Sequence, residues 1–205
     1  MKFNFVLLFF IIYSFGASFS NKPIVKKIDE FSLLQKRADI QKILREDEFY
    51  KEAKLLLNNT KKYIKKNIKD IENGRKIIKS SLPNYQKAIE YLVKSCKKYK
   101  NPIAAYQGYK LIISTYFLDK KYRKYLPLFA QVMYDYKTCT GYLALGDILN
   151  KGIYHKVNKT KALQIYQNGI PICKKQGKIW EYEAIRISAY KTKKKLLSKK
   201  NKESK

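Results

Sequence analysis

The sequence predicts an all-α fold, a right-handed α-solenoid of about four stacked helical hairpins with an N-terminal capping helix. Three observations lead there. Apolar residues recur three and four positions apart from Pro23 to about Ser198, with no credible pair of strands between them. A short motif returns at intervals of 35, 37 and 37 residues. A second motif keeps step with it, 20 to 22 residues behind each copy.

Composition bounds the class. The 205 residues carry a net charge of +29 at 45% hydrophobic content, enough for one domain with a real core and too apolar for a disordered chain. Of the 45 basic residues only Arg37, Arg45, Arg75, Arg123 and Arg186 are arginine. A groove selected for nucleic acid is expected to use more Arg, which forks onto phosphates and base edges. No specific nucleic-acid partner is therefore expected.

Residues 1–20 read as a signal peptide. Lys2 precedes an apolar run from Phe5 to Tyr13, and Ser14 to Ser18 are mostly small, which suits cleavage after Ser18 or Ser20. The run is short for a span of ~20 residues, and no later segment is apolar enough to cross a bilayer. The expected destination is the periplasm or the outside of the cell. Residues 21–49 follow as the N-terminal capping helix, with Ile28, Phe31, Leu34, Ile40 and Ile43 on one stripe.

The repeats occupy residues 50–190. The first motif reads YKEAKLLL, YQKAIEYL, YRKYLPLF and KTKALQIY, with Ala53, Ala88, Tyr125 and Ala162 fourth and an apolar or aromatic residue eighth. The second reads NGRKII, QGYKLI, LGDILN and EAIRIS, marked by Gly74, Gly108, Gly146 and Ala184. Small residues in both helices let two antiparallel helices approach closely, so each unit is a hairpin. A lone hairpin cannot bury its apolar face, so successive copies must stack. Breaks are expected at Leu82 to Asn84, Asn101-Pro102, Leu118-Asp119, Thr138 to Gly141, Gly152 to Asn158 and Lys175 to Gly177, with Asn84, Asp119 and Asn158 as N-caps. Residues 191–205 are expected to form a basic flexible tail.

One joint carries a resemblance. Leu145-Gly146, Gly152, Asn158, Lys161-Ala162 and Tyr166 match the Sel-one-like repeat, a relative of the tetratricopeptide repeat. The other copies depart from it: Gln107 stands before Gly108, the loop of the second unit lacks glycines, and Tyr125 replaces the Ala. The chain thus resembles a divergent member of that family, whose members scaffold protein complexes. A cysteine-rich secreted branch of the family locks its hairpins with disulfides. Cys96 and Cys173 resemble the first cysteine position of that branch and Cys139 the second, although no single repeat here keeps both. In a stack, Cys139 and Cys173 come together and leave Cys96 over; three buried thiols are the other reading.

Chemistry is sparse. The cysteines have no metal-ligand spacing, the single His is His155 in a loop without an evident partner, and no phosphate loop or nucleophile elbow occurs. No cofactor and no metal are expected, and catalysis is not expected. A small hydrolase remains a distant alternative, because some cysteine-rich relatives are associated with β-lactam binding or hydrolysis. Tyr91, Tyr106, Tyr109, Phe129 and Tyr166 read as seam residues, and Trp180 as packed at the start of the last helix. The leading expectation is an exported adaptor that binds a protein partner through the concave face of its first helices, where Tyr stands beside Lys. The alternative is a Lys-rich protein bound to anionic lipid or cell-wall polymer, chiefly through residues 61–69 and 191–200.

Overall fold

A computed structural model describes residues 30–67, 71–114 and 120–203 of the chain, and these are helical, with no strand among them. The expected signal peptide and the cap at Asp119 lie outside the described residues. Two short helices, α1 (Glu30–Leu34) and α2 (Ala38–Glu46), lead into α3 (Glu48–Asn67) and α4 (Ile71–Ser80). Then follow α5 (Leu82–Tyr99), α6 (Pro102–Ser114), a 3₁₀ turn over Lys120–Tyr125, and α7 (Leu126–Asp135). The last three are α8 (Cys139–Lys151), α9 (Lys159–Lys175) and α10 (Ile179–Glu203). From α5 to α10 each helix packs on the next, and α5 on α7 and α8 on α10 also touch. One continuous core runs from Phe31 to Ala189.

The glycines of the second motif act between units. A Cβ on Gly108 would lie 2.7 Å from both ε carbons of Phe129 in α7, and one on Gly146 would lie 2.6 Å from Cδ1 of Tyr166 in α9. Each glycine is thus a seat for the eighth residue of the following first motif, and both rings are completely buried. Ala53, Ala88 and Ala162 are also fully buried, whereas Tyr125 ends the 3₁₀ turn half-buried. Ala184 is half-buried on α10 and Gly74 is buried on α4.

The first expected hairpin pairs differently. Instead of α4, the main partner of α3 is α5. Phe49 at the start of α3 faces Tyr91 midway along α5 and Tyr99 at its end, so the two run antiparallel. A buried polar knot holds that junction. The Asp47 carboxylate caps α3 by accepting from the Tyr50 amide at 2.9 Å, and it accepts from the Ser95 hydroxyl at 2.5 Å and the Asn101 amide at 2.8 Å. The Asn101 side-chain oxygen in turn caps α6, at 3.0 Å from the Ile103 amide and 3.2 Å from that of Ala104.

Three other expectations are corrected. Asn84 is no cap: it is the third residue of α5, and the helix begins at Leu82 after Ser81 because Pro83 is tolerated in a first turn. Residues 191–203 continue α10, where Thr192 is fully buried and Lys and Leu are good helix formers. The N-terminal segment is two short helices, and α1 lies against α6 with Phe31 stacked on Tyr106 at 3.8 Å. Its first residue, Glu30, reaches the start of α8, where its carboxylate accepts from the amides of Cys139 and Thr140 and from the Thr140 hydroxyl. Those amides have no partner within their own helix, and the helix dipole adds to the attraction.

Glu30 is only 4% exposed, and burial raises its carboxyl pKa above the ordinary 4.5 despite the lowering effect of the Cys139 and Thr140 amides. An acid with a raised folded pKa contributes stability that is full below its unfolded value and lost as pH rises through the folded one. Thermal melts between pH 4 and 8 are expected to show this falling component in the wild type and not in Glu30→Gln. Parallel profiles for the two proteins would contradict the burial of Glu30.

The turns repeat more regularly than the motifs. Lys100, Lys137 and Gly177, each just after α5, α7 and α9, all adopt left-handed backbone, with φ of 52°, 54° and 65°. At the ends of α7 and α9 the chain closes in the same way, with the Thr138 amide on the Met133 carbonyl and the Lys178 amide on that of Cys173, both at 3.1–3.2 Å.

Candidate functional site

Three features stand out among the described residues: the exposed loop carrying His155, the buried cysteine joint, and a basic aromatic patch. The loop is built as the sequence suggests. Gly152 ends α8 with φ of 69°, and the Asn158 side chain starts α9 by accepting from the Lys161 amide at 2.9 Å. His155 is exposed there, with Nδ1 3.1 Å from the Lys156 carbonyl oxygen. No cluster of three metal-ligating side chains occurs among the described residues.

Cys139 and Cys173 are joined in a disulfide with Cα atoms 4.8 Å apart. It ties the first residue of α8 to the last turn of α9, next to the Glu30 cap. Gln176 closes the same corner, its side-chain oxygen 3.2 Å from the Cys139 amide. Cys96 is the free thiol; it is fully buried, and burial pushes its pKa far up, so little of the reactive thiolate forms.

The patch lies on the exposed side of α3 and α5. Phe49 packs with Tyr91 and Tyr99 at ring centroid distances of 6.5 and 6.4 Å. Lys94 stands 5.7 Å over Phe49 and 5.6 Å over Tyr91, while Lys98 stands 5.5 Å over Phe49 and 4.8 Å over Tyr99. Positions 87, 91, 94 and 98 are spaced three and four apart, so one stripe of α5 carries Lys87, Tyr91, Lys94 and Lys98 together. Each ammonium faces the electron-rich face of a ring.

Glu48 shows what the patch does to a carboxylate. It accepts from the Tyr99 hydroxyl and pairs with Lys98 at 2.9 Å, and these two partners, the hydroxyl first, pull its pKa down to about 2. The Tyr99 hydroxyl first, and Glu48 after it, raise that of Lys98. A carboxylate, two ammonium groups and three rings therefore already coexist here in a stable arrangement.

Of the aromatic residues singled out in the sequence, Phe129 and Tyr166 fill the glycine seats in the core, while Tyr106 and Tyr109 pack against the core from its edge. Burial raises the Tyr109 hydroxyl pKa to about 12. Tyr91 belongs to the patch. Trp180 does not pack: it is 74% exposed, because the face of α10 that bears it has no helix over it among the described residues. Sequence reasoning missed Glu48, Lys94, Lys98 and Tyr99, although the Lys87, Tyr91, Lys94, Lys98 spacing was there to be seen. No protein-family model, curated protein or solved structure matches the chain.

Proposed function

We propose that this chain is an exported, non-catalytic adaptor built as a divergent Sel-one-like and tetratricopeptide-like solenoid. It holds an acidic, extended segment of another envelope or secreted protein on its α3 and α5 side. The observation that carries this reading is the patch of Phe49, Tyr91 and Tyr99 under Lys94 and Lys98, in which Glu48 already sits as a bound carboxylate. Rings give flat apolar contact to a peptide backbone, and the ammonium groups select acidic side chains. The glycine seats on α6 and α8, a repeat apart, support the stacked arrangement. The disulfide supports export, since such bonds persist in oxidising compartments. No helix of the described residues is long and apolar enough to cross a membrane.

A fluorescent acidic peptide rich in Glu and Tyr tests the patch by anisotropy titration. The double variant Lys94→Glu/Lys98→Glu is expected to weaken binding at least about tenfold, and Phe49→Ala severalfold, since charge and ring contacts each contribute on the order of 1 kcal/mol. Anionic phosphatidylglycerol vesicles are titrated alongside. If vesicle binding is the tighter, is abolished at ~0.5 M salt and ignores Phe49→Ala, the protein is a basic surface binder and the adaptor reading fails.

A further inference from the structure

Gly108, Gly146 and Ala184 stand 38 residues apart on α6, α8 and α10. The first two are seats filled by the next helix, Phe129 over Gly108 and Tyr166 over Gly146. Around Gly146 the neighbouring Tyr142, Leu145 and Leu149 are all buried, with Tyr142 lying against Gly169 of α9. The same positions 38 residues later are Trp180, Glu183, Ala184 and Ile187. There Trp180 is 74% exposed and Ile187 50%, and Tyr190, one turn on, is 69% exposed. Ile187 and Tyr190 border an open cleft of about 390 Å³ with Ile170 of α9 and with Glu183 and Arg186, which form an ion pair at 3.1 Å.

We infer that this face of α10, with the cleft at its edge, docks one amphipathic helix of a partner protein, with a large apolar side chain over Ala184 and acidic residues on the helix's flanks. The geometry of the occupant is written inside the molecule. α9 lies on α8 by placing one large side chain on a small residue and covering the apolar positions three and four residues away. α10 offers a small residue, Ala184, at the same position, with Trp180 and Ile187 at the spacing of Tyr142 and Leu149, to a helix that would continue the series. The Ala184 methyl makes this seat shallower than the glycine seats, which favours Leu or Ile over a ring.

Charge decides who supplies the helix. Lys191, Lys193, Lys194 and Lys195 are exposed on the next turns of α10, and the chain as a whole carries +29. A second copy would bring the same lysines against them, which is repulsive, whereas a helix flanked by Glu or Asp is attracted. The inference rests on the stacked-repeat reading of the fold, but it uses a face remote in sequence from Lys94 and Lys98 and does not need that patch to bind anything.

Trp180 is the one Trp of the chain, so its fluorescence reports on this face directly. The probe is a synthetic helical peptide of about twenty residues with Leu in a heptad stripe, Glu on both flanks and no Trp. Titration into the full chain is expected to shift Trp180 emission to the blue with saturable binding in the micromolar range. Ile187→Asp and, separately, Tyr190→Glu are each expected to weaken binding at least tenfold; both positions are exposed, and circular dichroism confirms that the variants fold. Lys94→Glu/Lys98→Glu is expected to leave the titration unchanged, so failure of the patch and failure of this face are told apart. The inference is overturned if no shift occurs, if a Lys-flanked version of the peptide binds equally well, or if both variants bind like the wild type. It is also overturned if sedimentation shows the chain alone dimerising in a way that Ile187→Asp abolishes, since the occupant is then a second copy.

Discussion

Gly141→Ala is expected to destabilise the fold by about 3 kcal/mol, although an alanine is intrinsically favoured over glycine inside a helix by about 1 kcal/mol. The sign is decided by what a methyl group would meet. Its Cβ would stand 2.5 Å from the Tyr134 amide nitrogen and 2.7 Å from the Met133 carbonyl oxygen, both backbone atoms that no rotamer change removes. The Met133 carbonyl is already committed, because it accepts from the Thr138 hydroxyl at 2.9 Å, and that same hydroxyl oxygen accepts from the Gly141 amide at 3.0 Å. Relief therefore requires α7 and α8 to separate, which breaks the cap and opens the core around Met133. Gly177→Ala is the control: nothing lies within 4 Å of its would-be Cβ, and its φ of 65° costs a residue with a side chain only about 1–2 kcal/mol. Urea unfolding of the two variants is expected to rank Gly141→Ala as the less stable. Equal midpoints would mean that α7 and α8 do not approach as closely as this.

Gly141 also marks where the sequence was legible and where it was not. Periodicity and breaks were local, so the all-helical class, the starts at Asn101-Pro102 and Asn158, and the break that opens at Gly152 could be read directly. Gly141 looked like part of a break, yet it lies inside α8, and its glycine is required by a neighbouring backbone that the sequence does not display. The same distinction covers the second motif. Gly108 and Gly146 were recognisable as close-approach positions, but their partners belong to the next unit rather than to their own hairpin. Left-handed turns at Lys100 and Lys137 carry no compositional signal, since Lys is not a residue that favours positive φ. Glu30 caps a helix 109 residues away, a relation that no window of sequence contains. The pairing of α3 with α5 escaped for a related reason. The spacing from Ala53 to Gly74 fits the register, but α4 has only 10 residues, while α5 offers α3 a long buried face and Ser95 as a partner for Asp47, with Asn101 added just before α6.

Breaking the Cys139–Cys173 bond is expected to cost about 3–4 kcal/mol, the loop-closure entropy of a cross-link between residues 34 apart. For a chain of this length that corresponds to roughly 10 °C in Tm. The bond sits where three other contacts converge: the Glu30 cap on the Cys139 and Thr140 amides, the Gln176 side chain on Cys139, and the turn that starts α10. Its loss is therefore expected to loosen the α8, α9 and α10 end first and to leave the Asp47 knot between α3, α5 and α6 intact. Hydrogen exchange under reductant separates these regions: early exchange is expected in α8 to α10, with protection kept in α5 and α6. The Cys139→Ala/Cys173→Ala double variant is expected to melt near the reduced wild type and to ignore reductant. Cys96→Ala is expected to leave the reductant response unchanged, because its buried thiol is no alternative partner. If reductant leaves the wild-type Tm in place and non-reducing digestion of the protein yields three free thiols, the joint at Leu145 to Tyr166 is held by packing alone. The export reading then loses the support it draws from the bond.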